Sequence, residues 1–172
     1  MALDPSLTEF TTASQAIASY DYTDIADGLG YQIYYAFPLE KNGTYFLSPT
    51  FMENEGILPL VETDYDLSPF NIAQTVKGTA YLETYTPTGA GAAVITARLY
   101  RVRGVTETAV SSAITSISQA EFGHIILEIP LTETDFAAGD FLRLTLTNAK
   151  NVQITSDSTN PCKLHIPFRL DL

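Results

Sequence analysis

The chain has 172 residues, 45% hydrophobic and 17% charged, a balance that supports one domain with a buried core and excludes wholesale disorder. Twenty acidic against nine basic residues give a net charge of −11, which opposes phosphate backbones and argues against nucleic acid as a partner. The single cysteine, Cys162, excludes an internal disulfide framework, and no apolar run is long enough to suggest a membrane span.

The first stretch, MALDPSLTEFTTASQ, lacks a basic region followed by an apolar one, so no signal peptide is expected and the chain reads as folding in the cytoplasm where it is made. Residues 1–20 differ from the rest. Leu7, Phe10, Ala13 and Ile17 recur at helical spacing, and Ser6 with Glu9 forms a capping box. Two readings stand: a short helix covering one end of the domain, or an arm that docks on a neighbouring molecule. Residues 21–172 read as a single β domain.

From residue 31 the period becomes two. In YQIYYAFPL, Tyr31, Ile33, Tyr35, Phe37 and Leu39 share the face expected to be buried. Asn42-Gly43 supplies a tight hairpin turn, with TYFLSPTF as the returning strand. Further strands are expected over 57–61, over 72–85 with a bend at Gly78, over 94–103 and over 124–131. In the last of these Ile125, Leu127, Ile129 and Leu131 face inward. The segment KLHIPFRLDL alternates through Leu164, Ile166, Phe168, Leu170 and Leu172, which predicts a final strand tied into a sheet. Turn-rich segments at 27–30, 86–93, 104–107 and 156–161 separate these elements. Eight or nine strands without intervening helices predict a two-sheet sandwich or a barrel.

Catalytic signatures are absent from the pattern. His124 and His165 both fall on the outward phase of strands, and no nucleophile elbow or other specific setting for a triad occurs. One Cys and two His lack the paired spacing of a zinc site, and TGAGAA lacks the Lys and the strand-to-helix setting of a phosphate loop. In VETDYDLS, Glu62, Asp64 and Asp66 lie two apart, which suits either a solvated acidic loop or a hard cation held through oxygens. Ten Tyr and nine Phe offer stacking surfaces for a glycan, but most fall on the expected core phase, leaving Tyr20, Tyr22 and Tyr34 as interface candidates. Arg98, Arg101 and Arg103 concentrate three of the nine basic residues in one strand. They read either as partners of nearby acids or as an interface between copies or with an acidic partner.

The stretch TETDFAAGDFLRLTLTN, residues 132–148, runs from an acidic turn through Phe136-Ala137-Ala138-Gly139-Asp140 into a strand from Phe141 to Thr147. It resembles the closing part of a jelly-roll domain, where a short helical turn leads through Gly-Asp into one of the last long strands. The chain from about Tyr31 to Leu172, behind its arm, resembles small β-sandwich virion proteins of tailed phages, particularly capsid decoration or cement proteins. That resemblance implies an all-β, antiparallel two-sheet jelly roll, a homotrimer located in the virion, the major capsid protein as partner, no catalysis and no cofactor. The candidate interface is then Leu7, Phe10, Ile17, Tyr20 and Tyr22 with the three arginines. The alternative is a receptor- or carbohydrate-binding module of a tail fibre. An enzyme acting on polysaccharide is a third reading, with no carboxylate pair singled out.

Overall fold

The computed structural model describes residues 10–11, 17–18, 29–41, 43–52, 56–58, 62–86, 94–116, 123–148 and 154–169. Their regular structure is entirely β. In chain order the strands are β1 (Phe10–Thr11), β2 (Ile17–Ala18), β3 (Leu29–Ala36), β4 (Tyr45–Ser48), β5 (Gly56–Leu58), β6 (Thr63–Leu67) and β7 (Gln74–Thr86). They continue as β8 (Ile95–Arg103), β9 (Thr106–Ala109), β10 (Ile114–Thr115), β11 (Gly123–Phe136), β12 (Phe141–Asn148), β13 (Ile154–Ser156) and β14 (Lys163–Arg169).

Strands β3 to β14 join one curled, mixed sheet in the order β10-β8-β12-β6-β4-β3-β14-β7-β13-β5, with β11 on β7 and β9 on β8. Every pairing is antiparallel except β4 with β6, where Tyr45 faces Tyr65 and Leu47 faces Leu67 in parallel register. The curl brings the segment that follows β9 back onto β11: the Thr132 amide donates to the Val110 carbonyl at 2.8 Å, and Ser111 bridges Leu131. The half-barrel therefore encloses its own apolar face.

That face is filled by the alternate residues of the long strands. Leu82 of β7, Leu99 of β8, Ile129 of β11, Leu142 and Leu144 of β12 and Phe168 of β14 are among the fully buried side chains. Each aliphatic side chain so buried contributes about 1.5–3 kcal/mol, which is why the inward phase is held along strands as long as β11. The inward Ile125, Leu127 and Ile129 of β11, and Leu164, Ile166 and Phe168 of β14, follow the sequence alternation. Phe70 meets Phe136 and Phe168 edge to face, with centroids at 5.3 and 5.8 Å. Its backbone exchanges hydrogen bonds with the turn before β12: the Phe70 amide donates to the Asp140 carbonyl at 2.9 Å, and the Gly139 amide to the Phe70 carbonyl at 2.8 Å.

The expected hairpin stands, with β3 and β4 antiparallel and Gly43 at φ 78° in its turn. Gly78, expected to bend a strand, has φ 105° inside β7, next to the register shift between Leu131 and Thr134 of β11. Three expectations are corrected.

First, β3 is turned over. Tyr34 and Ala36 are the buried residues and align with Leu164 and Leu47, while Tyr31, Ile33 and Tyr35 line the outer face. Both phases of this strand are apolar, so its own alternation does not select a face. Tyr34 is thereby removed from the interface candidates: its hydroxyl donates to Gln32 Oε1 at 2.6 Å, and burial pushes the phenol up to about 12.

Second, residues 10–11 and 17–18 are not helical. They pair as a two-stranded antiparallel ladder, Phe10 with Ala18 and Thr11 with Ile17, consistent with the preference of β-branched Thr and Ile for extended backbone. The capping residues Ser6 and Glu9, and Leu7, Tyr20 and Tyr22, lie outside the described residues.

Third, the sheet is mixed, not purely antiparallel, because the acidic segment around Asp64 is the strand β6 and pairs in parallel with β4. Its acids occupy the outward phase and mask a buried phase of Thr63, Tyr65 and Leu67.

Candidate functional site

The outer face of β14, β7 and β11 carries a group of titratable side chains. Antiparallel register aligns Lys163 with Glu83 across β14 and β7, and His165 with Tyr81 one step along. On the other side of β7, His124 aligns with Tyr85 and Glu128 with Tyr81. Glu83 stands at the centre. Its Oε2 accepts from Lys163 Nζ at 3.3 Å, and its Oε1 lies 3.4 Å from His124 Nδ1.

Lys163 is only 2% exposed, and the mostly buried Glu83 is one partner that compensates its ammonium. The His124 ring is half exposed and meets Tyr85 edge on, at 5.1 Å. Burial lowers the proton affinity of His165, an effect opposed by Glu83 and reinforced by Lys163. Lys163 and Glu83 form an ion pair, and burial favours the neutral form of His165 beside it. In this group His124 pairs with Glu83, not with a Ser, Thr or Cys side chain.

A second polar group is centred on Arg143 of β12, which the sequence reading did not single out. Its guanidinium grips Asp66 of β6 through Nε at 2.6 Å and Nη2 at 2.7 Å. It also reaches Asp64 at 3.3 Å and pairs with Glu107 of β9. Thr145 donates to Asp64 at 2.6 Å. These carboxylates hold the guanidinium proton more tightly than usual, Asp66 most of all. Asp64 and Asp66, considered for a hard cation, are thus occupied by one arginine. Among the described residues no group of three or more His, Cys, Asp and Glu has the arrangement to hold a metal ion. The signal available in the sequence was the match of outward acids on 63–67 with an outward Arg on 141–147, but their adjacency depends on strand order.

The arginine cluster of β8 is engaged within the chain. Arg98 Nε donates to the Ser111 carbonyl at 3.3 Å and its guanidinium lies 5.1 Å from the Tyr100 ring centroid. Arg101 Nη1 donates to the Asp135 carbonyl at 2.9 Å. Arg103 forks onto Asp140, with Nε to Oδ1 at 2.8 Å and Nη2 to Oδ2 at 2.7 Å. Asp140, 3% exposed, also accepts from the Ala137 amide at 2.9 Å, and the Arg103 hydrogen bonds bring its carboxyl down to about 2. The Ala-Ala-Gly-Asp step is a tight turn closed by the Asp140 amide on the Ala137 carbonyl at 3.1 Å, with Gly139 at φ 91°. Of the other interface candidates, Phe10 and Ile17 sit in the β1–β2 ladder, away in sequence from this cluster.

No family model matches the sequence, and no curated protein matches it. Solved structures match the backbone. A CocE/NonD family hydrolase from Staphylococcus aureus superposes with TM-score 0.63 at 10% identity, over 83% of this chain and 37% of the hydrolase. A second structure of that hydrolase gives TM-score 0.62 at 12% identity, over 81% and 37%. An aminopeptidase from a marine sediment Thaumarchaeota archaeon gives TM-score 0.64 at 10% identity, over 94% of this chain and 40% of the aminopeptidase. At such identity the likeness shows fold alone, and the chain spans about two fifths of the proteins it matches.

These matches overturn the expected role in capsid decoration or cementing, together with its tail-fibre alternative. The backbone is that of a β portion found in hydrolases, and a strand alternation shared by many all-β domains had carried the virion reading.

Proposed function

We propose that this chain is a non-catalytic β module of hydrolase-type architecture, acting through contact with a catalytic partner domain and not by turning over substrate itself. The observation that carries this reading is the asymmetry of coverage: 83% to 94% of this chain is matched, against 37% to 40% of the hydrolase and the aminopeptidase. The reading assigns catalysis to the length of those proteins outside the matched part. The Glu83, His124 and His165 group supports it, in that His124 pairs there with Glu83 and not with a Ser, Thr or Cys side chain.

The same reading includes the finer architecture, a jelly-roll sandwich. Its support is the β11-to-β12 connection, which passes from a neighbour of β7 to a position between β8 and β6.

The purified chain should leave a p-nitrophenyl ester and an amino-acid p-nitroanilide unhydrolysed above the buffer rate. Turnover that disappears in His124→Ala or His165→Ala would make the chain an enzyme and end this reading.

A further inference from the structure

Inside the curl, two hydroxyls have been buried without a protein partner. Tyr65 of β6 is 0% exposed and Thr84 of β7 is 1% exposed, and neither the phenolic Oη nor the Thr84 Oγ1 has a hydrogen-bond partner. Both belong to the inward phase of their strands, so neither can reach bulk water by a change of rotamer alone.

A third polar group lies with them. Cys162, immediately before β14, is fully buried, and its thiol interacts with Thr84 while lying within electrostatic range of Tyr65. Burial pushes that thiol up to about 12, so it remains protonated and, as a weak donor and weak acceptor, offers Thr84 only a poor partner and leaves the Tyr65 hydroxyl without one. Two strands distant in sequence, and the residue that leads into a third, thus contribute polar atoms to one part of an otherwise apolar interior.

We propose that Tyr65, Thr84 and Cys162 form an internal hydration site that holds a structural water. A water molecule has the two donors and two acceptors needed here: it accepts from the Tyr65 hydroxyl and donates to Thr84 Oγ1 and to the Cys162 sulfur. Buried polar groups left without protein partners are commonly bridged in this way, by waters making about three hydrogen bonds. The site links β6 to β7 across the curl, where no backbone hydrogen bond joins the two strands.

The sign of a stability change distinguishes this site from a pair of orphaned hydroxyls. If the water is held, Tyr65→Phe and Thr84→Val each deprive it of a partner and lower the urea midpoint. If the hydroxyls are orphans, removing either relieves a burial penalty and raises the midpoint. The direct readout is an experimental density map of the wild-type protein, with a water expected within hydrogen-bond distance of Tyr65 Oη and Thr84 Oγ1. A map without that water overturns the proposal, as does an unchanged or raised midpoint for Tyr65→Phe.

Discussion

At the scale of single residues, Arg143 and Asp140 hold the outer polar face together by different means. Arg143 bridges three strands through Asp66, Asp64 and Glu107, and its side chain is 18% exposed, as is that of Asp66. Arg143→Met leaves these carboxylates close together without their cation and should cost about 1–3 kcal/mol by chemical denaturation. Arg143→Lys keeps the charge but loses the two-pronged grip on Asp66, so it should recover only part of that loss. Asp140 acts on acid stability. Its folded carboxyl is brought down to about 2, below its unfolded value, so its contribution is fully present above pH ~4 and is lost as pH falls through about 2. Asp140→Asn should remove that acid-dependent component, read as the change in urea midpoint between pH 4 and pH 2.

At the scale of elements, the turn between β11 and β12 depends on one backbone conformation. Gly139 has φ 91°, and a Cβ there would meet nothing within 4 Å, so Gly139→Ala should be penalised by strain and not by collision. A loss of about 1–2 kcal/mol is expected, with Asp140 and Phe70 still in place. The centre of the sheet has its own pH dependence. Burial of His165 beside Lys163 lowers its folded proton affinity below the unfolded value, so the unfolded chain binds the extra proton first. Stability should therefore fall as pH drops below about 6.5, and His165→Gln should flatten the change in urea midpoint between pH 7 and pH 5. Element positions were largely legible: β7, β8, β12 and β14 lie where alternation and turn residues placed them, whereas β11 continues to Phe136, through residues 132–136 that were expected to form an acidic turn. Strands β9, β10 and β13 are two to four residues long and carry too few alternations to be read.

At the scale of the whole molecule, the decisive contacts are those that close the curl. Ser111 and Leu131 are bridged partners across it, and a disulfide introduced by Ser111→Cys with Leu131→Cys should form on oxidation without a change in the circular dichroism of the sheet. A strain-free link over a loop of this size contributes about 3 kcal/mol, measurable as a rise in urea midpoint that reductant reverses. The sequence held no sign of this closure, since it joins residues whose own neighbours in the chain give no hint of each other. The group around Glu83 is similar. Both histidines were legible as outward residues of strands, but Glu83 and Lys163 became their neighbours only through the pairing of β7 with β11 and β14.

The amino-acid sequence by itself determined the class of the protein, the places of its longer strands and the inward phase of β11 and β14. Each of these follows from the two-residue pleat, which any single strand expresses without a partner. Only the tertiary structure decided the face of β3, the parallel junction of β4 with β6 and the carboxylates gathered by Arg143. It also decided the burial of Tyr65 beside Cys162. These depend on which distant strands meet, and strand order is set by the joint burial of the apolar faces, a property of the whole curl that no single segment carries.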